Sequence, residues 1–293
     1  MTMKERYDTY MAARQEVLGQ KMSSYFYNQE ARYVHPFRLY GNIWYVGDSW
    51  VCVHLIDTGD GLLLIDSGNC GATAMLIQAI WEAGFDPADV KWIIHSHGHL
   101  DHIGAAVFFR RMFGTKLYLG AQDAKMFREH PEQSIIQDTH NLMDELFEPD
   151  YEIKEGDVLT FGNTTMEFFE VPGHTVGCIA CFFDAYNGDE VKRCGYYGGF
   201  GFNTLSKENL IEIGDPEYRT RQVYLDSLAK VRDQRVEIFL ANHCVNNDTL
   251  ARRERLLADP EGPNPFVDDT LWGSYLDEKR DALLKFMADP ANN

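Results

Sequence analysis

The stretch HSHGHLDH, His95 to His102, places four of the chain's ten histidines in eight positions, with an aspartate among them. It follows the apolar run VKWII and precedes IGAAVFFRRMFG, a pattern closed by Gly114. The first run reads as a buried strand and the second as a helix. The histidines therefore occupy a strand-to-helix turn of an α/β chain. Crowding of this kind brings no packing advantage, and it points to a metal. In extended backbone, residues i and i+2 face the same way, so His97 and His99 can grip one ion. The chain then turns, and Asp101 and His102 can face another. A helix N-cap would explain Asp101 alone. It would not explain three histidines interleaved with it.

Two more histidines stand in suitable places. EVPGHTVG puts His174 in a Pro/Gly turn between strands, and IFLANHCVN puts His243 just beyond a buried strand. Each alone would be an ordinary loop histidine. With the first cluster they complete two sets of three: His97, His99 and His174, then Asp101, His102 and His243. Each set leaves coordination open for water or substrate, the pattern of a catalytic site. Zinc is the default ion for a histidine-rich site with few carboxylates, with iron and manganese as open alternatives.

The rest of the chain bounds the setting. Residues 1–30 read as a helical N-terminal arm, 31–260 as the main domain, and 261–293 as a C-terminal helical extension packed on it. The arm could cover the domain, act as a lid, or join two copies into a homodimer. Two β-rich blocks, each followed by α/β segments, suggest two similar halves that offer sheets to a common core and helices to solvent. Residues 131–150 are polar and irregular, as segments that cover a site often are. No apolar run is long enough to span a membrane, and the N-terminus lacks the pattern of a signal peptide. The expected location is cytoplasmic. The formal net charge of −18 disfavours nucleic acid and leaves a small molecule as the partner. The six cysteines show no framework spacing, and Cys178 and Cys181 read as free core thiols despite their C-x-x-C arrangement.

These motifs together resemble the metallo-β-lactamase fold superfamily. LLLIDSG is similar to its first motif, with Asp66 supporting a ligand, and HSHGHLDH to its signature. VPGHTVG and FLANH are similar to its third and last ligand motifs. The likeness runs in order from about Phe37 to about residue 255, and is strongest to the third subclass of zinc β-lactamases. It implies an α/β fold, a four-layer αββα sandwich with two zinc ions at one edge, here with added N- and C-terminal helices.

One departure matters. Many relatives carry an aspartate that bridges the metals in the segment matched by CGYYGGFGFN, where this chain has Gly198 and Gly199. In the third subclass, serines of this segment help to hold the antibiotic's carboxylate. Here glycine and phenylalanine stand instead, which argues against true β-lactamase activity. The resemblance implies a metal-dependent hydrolase whose zinc-bound hydroxide cleaves a small-molecule lactam, lactone, ester or thioester, with Asp101 orienting the nucleophile. Two divalent ions beside one anionic ligand would favour an anionic substrate. A phosphoester or sulfate-ester hydrolase and a non-catalytic metal sensor or carrier are the alternatives.

The remaining histidines read otherwise. His95 reads as core or rim, and His35, His54, His130 and His140 lack partners in the sequence. Cys244 is set aside as a ligand, because neighbours on extended backbone point apart. Tyr196, Tyr197, Phe200 and Phe202 read as core packing or as an apolar substrate wall.

Overall fold

Alternation of side chains, two residues per repeat, builds the molecule from two sheets. A computed structural model describes residues 1–18, 29–135 and 146–292. After the helix α1 (Met3–Leu18), the first sheet holds β1 (Phe37–Tyr40), β2 (Ile43–Tyr45), β3 (His54–Asp57), β4 (Leu62–Ile65), β5 (Val90–Ile94), β6 (Lys116–Gly120) and β7 (Tyr151–Ile153), in that spatial order. The strands are antiparallel up to β4 and parallel from there on. The helices α2 (Thr73–Glu82), α3 (Ala106–Phe113) and α4 (Ala121–Glu129) follow β4, β5 and β6.

The second sheet comprises β8 (Val158–Phe161), β9 (Thr164–Glu170), β10 (Ile179–Asn187) and β11 (Glu190–Tyr197), all antiparallel. The helices α5 (Lys207–Glu212) and α6 (Arg219–Val231) then lead to β12 (Ile238–Leu240), which pairs parallel with β11. The chain ends in α7 (Thr249–Ala258) and α8 (Leu271–Ala288).

Strand β4 shows why the layers form. Its sequence LLLI is apolar at every position because both faces are covered. Leu63 and Ile65 enter the core between the sheets, and Leu62 and Leu64 pack beneath the helices. Strand β10 repeats this on the other side: Ile179, Cys181 and Phe183 face inward, while Ala180 and Phe182 face α6 and α8. Leu76 and Ile80 of α2, Phe109 of α3 and Phe127 of α4 close the first outer layer. Tyr224 and Leu228 of α6 close the second, with Trp272, Tyr275 and Leu276 of α8. The result is the expected αββα sandwich. Its halves are less alike than the sequence suggests, with seven strands against five.

The arm is a helix over Met3–Leu18, and residues 1–13 are exposed throughout. The rest of the expected arm, 19–28, lies outside the described residues, as do 136–145 of the expected covering segment. Among the described residues, no helix is long and apolar enough to cross a membrane.

Candidate metal centre

The site lies where strands end. Beyond β4 the chain enters the left-handed region at Asp66, with φ of 63°. Aspartate tolerates this conformation better than most residues, at a cost of order 1 kcal/mol. The bend sends its buried carboxylate towards the end of β5. There it accepts hydrogen bonds from Ser96 N at 2.7 Å, Ser96 Oγ at 2.9 Å, Tyr196 Oη at 2.5 Å and His102 Nδ1 at 2.7 Å. Burial opposes ionisation, but the charge of His102 and these donors outweigh it and hold the carboxyl below its usual range.

With Nδ1 of His102 engaged by Asp66, its Nε2 points into the site, 3.3 Å from His243 Nε2 and 3.4 Å from Asp101 Oδ2. His243 Nε2 lies 3.5 Å from the same oxygen, and its Nδ1 is 3.2 Å from the Trp50 carbonyl. That carbonyl is at hand because Val51 forms an antiparallel bridge with His243.

The second gathering involves His97, His99 and His174. One ring nitrogen from each lies within 4.8 Å of the other two. His99 Nδ1 is 3.0 Å from His174 Nε2, whose ring is turned by a contact from Nδ1 to the Gly201 carbonyl at 2.9 Å. His97 Nδ1 contacts Ser96 Oγ at 3.0 Å, while its buried Nε2 has no hydrogen-bond partner among the described residues. A buried ring nitrogen left this way is costly. The two gatherings abut, since His97 also falls within 4.8 Å of Asp101 and His102.

Charge separates them. Burial drives His97 and His99 far below the usual histidine pKa and takes His174 and His243 down to about 4. These rings are neutral at pH 7, the state that donates a lone pair to a metal. His102 is the exception. Burial pulls it down, but Asp101 and Asp66 outweigh that and push it up to about 10. Burial likewise raises Asp101, yet His102, His243 and His99 hold it well below the carboxylate range.

Comparison with known proteins gives this geometry a family. The family model of the metallo-beta-lactamase superfamily matches residues 51–187. A hydroxyacylglutathione hydrolase, GloC of Haemophilus influenzae, is 31% identical over 157 residues, covering 51% of this chain and 68% of that protein. Other curated relatives match over smaller shares of their length. The chain belongs to the metallo-beta-lactamase superfamily. Among solved structures, the subclass B3 metallo-beta-lactamase BJP-1 of Bradyrhizobium japonicum superposes with a TM-score of 0.78 at 27% identity, over 89% of this chain and 96% of that one. The di-zinc class B3 enzyme LRA-12 from an Alaskan soil metagenome shares the fold at a TM-score of 0.73 and 20% identity, over 88% and 96%.

As a metallo-hydrolase of this superfamily, the chain has a donor set that fits metal. Five imidazole nitrogens and one carboxylate converge, and a cation among them would give the buried His97 nitrogen a partner. The backbone at Gly198 and Gly199, where many relatives carry a bridging aspartate, has no room for a side chain. A Cβ on Gly199 would lie 2.4 Å from His174 Cδ2, and one on Gly198 2.7 Å from the Ser96 and Ile179 carbonyl oxygens. The His174 ring fills the space that a side chain at 199 would need.

Sequence reasoning missed Asp123 on α4. Its Oδ2 accepts from Gly98 N at 2.8 Å and Thr175 Oγ1 at 2.7 Å, and its Oδ1 from Gly177 N at 2.7 Å. It thus ties the His97–His99 loop to the His174 turn. Burial lifts its pKa to about 6 despite these three donors. An acidic residue in a helix's first turn reads as a partner for the helix dipole, which hides the role. Tyr196, expected as core packing or an apolar substrate wall, is buried and donates to Asp66.

The other histidines lie elsewhere. His95 is buried between Ser67 Oγ and the Tyr118 carbonyl, and His54 contacts the Ala241 carbonyl at 2.9 Å. His35 pairs with Glu82 and His130 with Glu132, while His140 lies outside the described residues. Cys244 turns inward, its Sγ 3.1 Å from Tyr45 Oη. All six cysteines are free and buried. Above the clustered histidines opens a cavity of about 500 Å³, lined by Trp50, Asp101, His174, Phe200, His243 and Lys279 among others. A smaller lobe of about 240 Å³ shares His99 and His174 and carries Glu132 and Glu212.

Proposed function

We propose that this protein holds two zinc ions and hydrolyses a carbonyl bond in a small anionic molecule, a thioester, lactone or ester. His97, His99 and His174 hold one ion, and Asp101, His102 and His243 hold the other. The observation that carries the reading is the convergence of six donors in two abutting sets, with a buried His97 nitrogen left over. When bound, the ions polarise the carbonyl and acidify the attacking water.

The chain's own residues do the rest. Asp66, the Gly201 carbonyl and the Trp50 carbonyl fix the tautomers of His102, His174 and His243, as partners behind metal ligands do. Asp101 orients the nucleophile, staying ionised beside His102 and His243. Trp50 and Phe200 give the cavity an apolar wall. The likeness to a hydroxyacylglutathione hydrolase supports a thioester. The likeness to subclass B3 lactamases keeps lactams on the test panel.

The test is zinc reconstitution with elemental analysis, beside chromogenic thioesters, lactones, lactams and a phosphodiester. Two zinc equivalents and zinc-dependent cleavage of a carbonyl substrate are expected, with the phosphodiester untouched. Full zinc occupancy without turnover of any carbonyl substrate would leave a metal-binding protein and overturn the reading.

A further inference from the structure

Helix α8 lies beyond the stretch matched by the family model, which ends at residue 187. Yet it reaches the site. Tyr275 Oη donates to Asn246 Oδ1 at 2.7 Å, Asn246 donates to Asn242, and Asn242 Nδ2 donates to the Gly198 carbonyl at 2.7 Å. This buried chain pins α8 to the end of β11, beside the two glycines under His174. One turn further along α8, on the same face, stands Lys279. Its Nζ lies 4.8 Å from the centre of the Tyr275 ring, and the side chain lines the larger cavity together with Asp101, His174 and His243.

Three facts set Lys279 apart. It is the one lysine or arginine among the described residues that line either lobe, and the smaller lobe carries two glutamates. It is half-buried and forms no ion pair among the described residues, whereas Arg280 beside it pairs with Asp277 and Asp281. Burial lowers its pKa and outweighs the opposing charge of the neighbouring Glu278. A cation partly withdrawn from water with no ion pair gains when an anion arrives.

We propose that Lys279 is the specificity-determining residue of this cavity. It receives a substrate carboxylate beyond the scissile carbonyl, while the apolar part of the substrate rests on Trp50 and Phe200. This rests on the hydrolytic reading for the word substrate, but its test does not.

The test compares binding of 4-phenylbutanoate and its neutral isostere 4-phenylbutanamide to zinc-loaded protein by calorimetry. The wild-type protein should prefer the acid. Lys279→Ala should reduce the acid-to-amide affinity ratio by on the order of ten-fold, the usual size for a charge-assisted hydrogen bond at a partly exposed site. Lys279→Arg should restore most of it. An acid preference that survives Lys279→Ala would place the carboxylate on the metals and overturn the proposal. Equal weakening of both probes would make Lys279 a mere wall, and no acid preference in the wild-type protein would remove its anion; either result also overturns it. Acid-selective binding lost in Lys279→Ala, in a protein that turns over no substrate, would retire the hydrolytic reading and leave the lysine in place.

Discussion

The two proposed ligand sets use the same residue type in opposite electrostatic settings. Among the described residues, no ring of His97, His99 or His174 forms a hydrogen bond or ion pair with a carboxylate, and the rings are neutral because burial outweighs the nearby Asp101 charge. His102 sits between Asp66 behind and Asp101 in front, at 2.7 and 3.4 Å. That position is built for positive charge before any metal arrives: a proton occupies it or an ion does. The difference teaches that the positions should fill by different rules. Ion binding beside His102 must displace a proton, and binding among the three imidazoles relieves nitrogen–nitrogen crowding.

The largest expected effect breaks this asymmetry. Asp101→Ala removes the one anionic donor of its set. Turnover should fall by roughly 10³-fold or more, and zinc content should drop from two equivalents to one, with the fold retained by circular dichroism. His99→Ala should empty the other position instead. If either variant strips both ions, the positions are not independent.

A pH dependence comes next, and it belongs to the tie between the loops. Asp123 has a folded pKa of about 6, above the unfolded value of about 3.9. The folded chain therefore binds that proton more tightly. The stability it contributes is complete below about pH 4 and is lost as pH rises through about 6, a change of about 3 kcal/mol. Denaturation of wild-type protein against Asp123→Asn should show this slope in the difference between them. Parallel curves would mean that the carboxyl ionises as freely in the fold as outside it.

Asp66→Asn sharpens the comparison from behind the metal. Removal of that charge should weaken zinc at the His102 position by roughly 10- to 100-fold, with little change at His97, His99 and His174. Competition with a chromophoric chelator reads both steps. Equal weakening at both positions would mean that Asp66 acts through Ser96, which touches Asp66 and His97 alike, rather than through His102.

How much of this the chain disclosed depends on distance along it. His97, His99, Asp101 and His102 are legible because one loop carries all four, and strand and helix periodicities fix its place. His174 and His243 come into view only beside that loop, because a lone histidine in a Pro/Gly turn or just beyond a buried strand is ordinary. What makes them converge is sheet topology: β9 and β12 are separated in sequence and aligned by the parallel pairing of β11 with β12. Asp123 was not legible. Its three donors come from Gly98, Thr175 and Gly177, partners up to 54 residues away, and no local pattern announces them. Lys279 was hidden for the same reason, as a lysine on an amphipathic helix reads as solvated surface. The αββα layers were legible because LLLI and the run through β10 are apolar on both faces, which only a doubly covered strand permits.

The smallest expected effect tests the boundary of the second ligand set. Cys244 adjoins His243, so a thiolate ligand is the obvious rival to an imidazole there. The backbone answers by geometry: His243 is extended, with φ of −127° and ψ of 144°, so the two side chains leave in opposite directions. The thiol ends 3.1 Å from Tyr45 Oη and 3.8 Å from Cys52 Sγ, inside the core between the sheets. Cys244→Ser keeps a donor but shortens its reach in a buried place, and should cost about 1 kcal/mol of stability. Zinc content should not change. Cobalt-substituted wild-type protein should likewise lack a sulfur-to-cobalt charge-transfer band. A band that disappears in Cys244→Ser would put the thiolate on the metal and dissolve the contrast between a nitrogen-only position and one built from nitrogen and carboxylate.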